Sequence, residues 1–246
     1  MDAYIFISVL ALVALLLIYT YKQDKYMKEP IGKLLKAYGF GLLAFPGFFI
    51  FLCLFVPLFP EGDDPGMLQL ILSLFCISSV PMEGSKLFFR WLLLRRNDNF
   101  NEYVDGIIYA TFISLGFATL ESMTFLLTDE NTNALSMMEL THGLLAAPAN
   151  WFFGILMGYY YSLAKFSKSH KGKYALLTFA VPVLAHAAYD FILSILPDIN
   201  PMFEGIAIVA LLFLCYKAWI FGNKRISQQL ERDQPFFEQE DDQVKE

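Results

Sequence analysis

Charge is scarce in this chain. Asp, Glu, Lys and Arg together make up 17% of its 246 residues, where a soluble domain carries roughly a quarter. That shortage excludes a solvated surface along most of the length. Basic residues are fewer than acidic ones, 18 against 24, for a net charge of −6. A basic nucleic-acid face is therefore excluded as the main theme. The acidic excess is concentrated at the end, where Ser227 to Glu246 holds Glu231, Asp233, Glu238, Glu240, Asp241, Asp242 and Glu246. Cysteine is rare too. Cys53, Cys76 and Cys215 each lie in an apolar run without C-x-x-C spacing, so they read as small core residues and exclude a disulfide framework. There is no internal repeat and no second domain.

Apolar residues fill the chain instead, at 57% with a mean hydropathy of +0.48. They fall into seven runs: Ala3 to Tyr21, Ala37 to Phe59, Leu68 to Leu94, Tyr103 to Leu127, His142 to Leu163, Tyr174 to Leu196 and Phe203 to Phe221. Each is close to the roughly 20 residues that cross a hydrocarbon core as a helix. The first run has no positive n-region and no small-x-small cleavage site, so it reads as a retained helix. Pro46 and Pro57 mark kinks or ends of the second. The expected fold is an all-α, polytopic membrane bundle of seven helices over residues 1–226, followed by a solvated, disordered acidic tail over 227–246.

Lys and Arg follow the first, third, fifth and seventh runs, and the connections after the second, fourth and sixth have none. Seven spans put every basic connection on one side, which should be cytoplasmic. The N-terminus is then outside and the C-terminus inside.

Several spans carry groups that are costly to bury. The third has Glu83 and Lys86, three apart on one helix face; the fourth has Phe117 and Glu121, four apart; the sixth has His186 and Asp190, also four apart. His142 opens the fifth near the outer boundary. At 1.5 Å rise per residue, Glu83 and His186 lie about 18 Å from the cytoplasmic ends of their spans. Asp190 and Glu121 come out at roughly 24 to 27 Å. All four therefore fall between the membrane midplane and the outer leaflet, and a buried carboxylate needs such partners. The set suits water activation by a carboxylate with a cation or histidine at a developing oxyanion. Taken alone it would equally suit zinc or a proton or cation path. No cofactor is expected. Ser85 and Ser122 adjoin the acids but read as backbone-bonded hydroxyls rather than nucleophiles.

At these residues the sequence resembles the PrsW family of intramembrane, glutamic-type proteases, within the superfamily of the CAAX prenyl endopeptidases. Glu83-Gly-Ser-Lys86 resembles that family's Glu-Glu-x-x-Lys motif, and Phe117-Ala-Thr-Leu-Glu121 its Phe-x-x-x-Glu motif. His142 looks like its lone histidine, and His186-Ala-Ala-Tyr-Asp190 like its His-x-x-x-Asp motif. The likeness covers about residues 68–196. It implies an endopeptidase with Glu83, Glu121, His186 and Asp190 as catalytic residues and Lys86 and His142 in support. It also implies a membrane-anchored protein substrate, such as an anti-sigma factor, cut near the extracytoplasmic side of a bacterial plasma membrane. One position departs, since the family's first glutamate falls on Met82. A thioether does no acid–base chemistry, so the alternative is a non-catalytic membrane-protein binder on the same fold.

Overall fold

The computed structural model describes residues 3–58, 67–127, 137–199 and 204–244. Among these there are helices and turns and no strand. The helices are α1 (Ala3–Gln23), α2 (Ile31–Phe55), α3 (Met67–Ser73), α4 (Val80–Leu94), α5 (Tyr103–Leu127), α6 (Met137–Phe166), α7 (Lys171–Ile199) and α8 (Glu204–Val244). A π-helical stretch, Leu74–Ser79, joins α3 to α4, so those two form one long segment. Seven long helical segments result. Five contain windows long and apolar enough to cross a membrane: Phe6–Gln23, Ile31–Phe55, Ile71–Leu94, Tyr103–Thr124 and Lys171–Leu193. Most of the polar connections expected after the second, fourth and sixth runs lie outside the described residues.

The centre of the bundle is α5. Every residue from Val104 to Thr119 is buried, against six of the 25 residues of α2, so α5 is wrapped by protein and α2 faces outward. Close helix approach explains the wrapping. Gly116 of α5 meets α2 where an added Cβ would lie 2.2 Å from the Tyr38 carbonyl oxygen. Gly158 of α6 meets α5 where an added Cβ would lie 2.3 Å from the Gly106 carbonyl oxygen. Small residues at crossings let backbones approach to such distances and bring dispersion contacts with them. Pro46 lies inside α2, and Pro57 sits in the 3-10 turn Val56–Leu58 that ends it.

The face that α4 turns inward is polar. Glu83, Lys86 and Arg90 are all buried, with Leu94 one turn further on. Spacings of three and four place them along one stripe. Arg90 stacks its guanidinium 4.1 Å from the centre of the Tyr161 ring.

The acidic tail differs from the expectation of disorder. Past Arg225, α8 runs on as a helix to Val244. Ile226, Gln229, Leu230 and Asp233 are buried, at spacings that form one helix face. The Gln229 amide donates to the Tyr159 carbonyl at 3.0 Å. Asp233 accepts the first backbone N–H groups of α5, from Tyr103 at 2.7 Å and Val104 at 2.9 Å. The tail is held because it caps the central helix.

Candidate active site

Glu83 of α4 is fully enclosed, and its Oε1 is the hub of the site. Lys86, one turn on, forms an ion pair with Oε1. His186 Nδ1, from α7, lies 2.8 Å from the same atom. A carboxylate only accepts, so Nδ1 carries a proton toward Glu83. The ring is held in place by Phe153 of α6, stacked at 4.7 Å between centroids and 18° between planes. Nε2 then faces Asp190 Oδ1 at 3.6 Å. The other Asp190 oxygen accepts from Ser78 Oγ at 2.6 Å. Ser78 lies in the π-helical stretch, and such local unwinding re-aims side chains at functional sites.

Glu121 enters from α5. Its Oε2 accepts from the Asn150 amide of α6 at 2.6 Å. The Asn150 carbonyl oxygen in turn accepts from Lys86 at 2.8 Å. A continuous polar chain therefore runs Glu121–Asn150–Lys86–Glu83–His186, with Asp190 beside the imidazole. Phe117, one turn before Glu121, lies 4.9 Å below the Lys86 ammonium, which explains the Phe-x-x-x-Glu spacing. Lys86 divides its three donors between Glu83, Asn150 and this ring face, so it positions its partners.

The structure thus brings together Glu83, Lys86, Glu121, His186 and Asp190, on the three helices the sequence assigned. His142 lies on α6 two turns before Asn150, and its side chain is outside the described residues. Ser85 donates to the Ala44 carbonyl of α2 at 2.7 Å, consistent with a hydroxyl bonded to backbone. The sequence reading missed Asn150, Ser78 and Phe153. Asn150 had one signal, as an amide inside an apolar run. Met82 is half-buried against Ala44, Phe48 and Phe117, and its sulfur lies 3.8 Å from Ser78 Oγ. It stands at the edge of the site.

Two features ask for another group. Glu83 Oε2 is buried with no hydrogen-bond partner among the described residues. His186 Nε2 and Asp190 Oδ1 face each other at 3.6 Å, an arrangement that takes a cation or a proton between them. The donors fit a divalent metal in kind: an imidazole Nε2 whose Nδ1–H is tied to a carboxylate, with further carboxylates alongside. Among the described residues, the one trio of such side chains with ligand atoms all within 4.8 Å of one another lies elsewhere, at Asp24, Glu102 and Asp105.

An apolar cavity of about 360 Å³ opens beside Phe153, lined also by Phe152, Ala185, Tyr189, Cys215 and Phe221. It lies between α6, α7 and α8, with the Phe153 ring separating it from His186.

Comparison with known proteins finds relatives over most of the chain. The family model described as PrsW family intramembrane metalloprotease matches residues 29–220. Three proteins named Protease PrsW illustrate the similarity. One from Clostridioides difficile is 34% identical over 175 residues, 70% of this chain and 72% of that protein. One from Bacillus subtilis is 31% identical over 184 residues, 74% of this chain and 79% of that protein. One from Geobacillus kaustophilus is 32% identical over 179 residues, 72% and 74% respectively. No solved structure matches the chain.

Proposed function

The chain belongs to the PrsW family of intramembrane proteases, and from that premise we propose that the polar chain around Glu83 hydrolyses a peptide bond of a membrane-anchored protein. The protein is a multi-pass bacterial membrane peptidase. Its proposed substrate class is a single-span protein such as an anti-sigma factor, cut near the extracytoplasmic side. The observation that carries the mechanism is His186 Nε2 facing Asp190 Oδ1, beside the orphaned Glu83 Oε2.

Glu83 Oε2 is the base. It takes a proton from water as the water oxygen bonds to the scissile carbonyl carbon. When the C–N bond breaks, the same oxygen returns the proton to the leaving amine. Lys86 and the His186 Nδ1–H hold Oε1 and so fix the direction of Oε2. Asn150 holds Glu121 on the opposite side. A divalent ion, when bound, would be held by His186 Nε2 and Asp190 Oδ1 and would polarise the scissile carbonyl. The cavity beside Phe153 supplies an apolar approach for the substrate's membrane segment.

The test is co-expression with a single-span substrate. Glu121→Gln and His186→Ala are each expected to abolish cleavage while the purified protein keeps its elution profile. Cleavage persisting in both variants overturns the assignment. Met82 supports a second reading, a binder with impaired cutting, because it packs on apolar side chains where the family motif has an acid. In that case wild type retains an intact membrane segment, and Met82→Glu restores cutting.

A further inference from the structure

A second buried constellation lies far from His186. Asp24 follows the end of α1, and Glu102 and Asp105 stand at the start of α5. Glu121 is 16 residues further along that helix than Asp105, about 24 Å away. The three carboxylates are 0%, 4% and 1% exposed, and each offers a ligand atom within 4.8 Å of the other two.

Each is fixed by one oxygen only. Asp24 Oδ2 accepts the Glu29 N–H at 2.7 Å. Glu102 Oε1 accepts the Met27 N–H at 2.9 Å. Asp105 Oδ2 accepts the N–H groups of Asn101 at 2.9 Å and Glu102 at 2.7 Å. The second oxygen of each, Asp24 Oδ1, Glu102 Oε2 and Asp105 Oδ1, is buried without a hydrogen-bond partner among the described residues. Backbone donors thus hold three carboxylates in place while three orphaned oxygens remain.

Among the described residues, no nearby cation hydrogen-bonds to these carboxylates. Lys28 donates to the backbone carbonyls of Tyr21 and Asp24. Lys33 is spent on Asn97 and Asn99, and Lys165 on the Phe100 carbonyl. Arg232 lies over the rings of Tyr103 and Tyr159. Two further acids add negative charge nearby, Glu29, which accepts from the Tyr109 hydroxyl, and Asp233 at the α5 cap. Burying such a set uncompensated costs several kcal/mol per ion.

We propose that Asp24, Glu102 and Asp105 bind one oxygen-ligated divalent cation of the calcium and magnesium class, at a site distinct from that of His186. Oxygens on a single calcium, each about 2.3–2.6 Å from it, lie at most about 5 Å apart, which accommodates the observed grouping. All three donors are hard carboxylates with no imidazole or thiolate among them, which disfavours zinc. The ion ties the connection after α1 to the first turn of α5, the helix that carries Glu121.

The full-length chain in detergent, stripped with a chelator, is titrated with Mn²⁺ followed by electron paramagnetic resonance. One Mn²⁺ per chain is expected at this site, displaced by Ca²⁺ or Mg²⁺, and retained in His186→Ala. Glu102→Gln and Asp24→Asn keep the oxygen that accepts the Met27 or Glu29 N–H but lose the charge. Each should weaken Mn²⁺ binding tenfold or more. Binding unchanged in these variants, or lost in His186→Ala, overturns the site. If either variant fails to fold, the His186→Ala chain decides through its unfolding temperature: a rise of several degrees in millimolar Ca²⁺ or Mg²⁺ supports the site, and no rise overturns it. Cleavage is not a readout, so this result stands or falls apart from the protease assignment.

Discussion

Asn150 is the residue on which the two halves of the catalytic site depend. Its carbonyl oxygen accepts from Lys86 and its amide donates to Glu121, and all three side chains are buried. Replacing it with alanine leaves a buried acceptor and a buried donor unpaired at once, each costing about 1–3 kcal/mol and more where the partner is charged. Asn150→Ala should therefore lower stability by about 2–6 kcal/mol and remove cleavage. Denaturant titration in detergent beside the co-expression assay checks both, and full activity would contradict the bridging role. The Glu83–Lys86 pair makes a second prediction of the same kind. Removing one partner of a buried pair costs about 3–5 kcal/mol, whereas replacing both with neutral groups costs less. Lys86→Met alone should thus be less stable than Lys86→Met combined with Glu83→Gln. A double variant as unstable as the sum of the singles would show that the two residues do not share one interaction.

At the scale of the elements, the bundle depends on backbone contacts that tolerate no side chain. An added Cβ at Gly116 or Gly158 would fall 2.2 or 2.3 Å from a neighbouring carbonyl oxygen, while at Gly172 nothing lies within 4 Å. Gly116→Ala and Gly158→Ala should each lower the unfolding temperature by several degrees, with Gly172→Ala as an unchanged control; equal melting of all three would contradict the crossings. The helices themselves were legible in the sequence because apolar runs near 20 residues have few other readings. The motif residues were legible because an ionisable group in such a run is exceptional. Asn150 and Ser78 were not, because their importance comes from which helix lies opposite, and spacing along one helix does not reveal that. The end of α8 was misread for a different reason. Its many acids suggested a solvated tail, and they masked Ile226, Leu230 and Asp233, whose spacing of four and three marks a docked face. His142 fitted the family motif, but its side chain lies outside the described residues.

For the molecule as a whole, the docked tail couples its stability to pH. Burial pushes the Asp233 carboxyl up from its ordinary value of 3.8 to about 6, and nearby Asp24 adds to the rise. The backbone N–H groups of Tyr103 and Val104 and the Arg232 guanidinium pull the other way without cancelling it. The folded chain therefore binds this proton more tightly than the unfolded chain does. Stability from this group is present in full below about pH 4 and is lost as pH rises through about 6. Asp233→Asn stays neutral across that window and keeps one oxygen to accept from the start of α5. The variant is consequently expected to lose ground to wild type at pH 4.5 and to gain on it steadily up to pH 7.5. Parallel thermal melts of the two proteins across that range check the sign, since other titrating groups move both curves alike. A difference in unfolding temperature that stays flat with pH would mean that folding leaves the proton affinity of Asp233 unchanged.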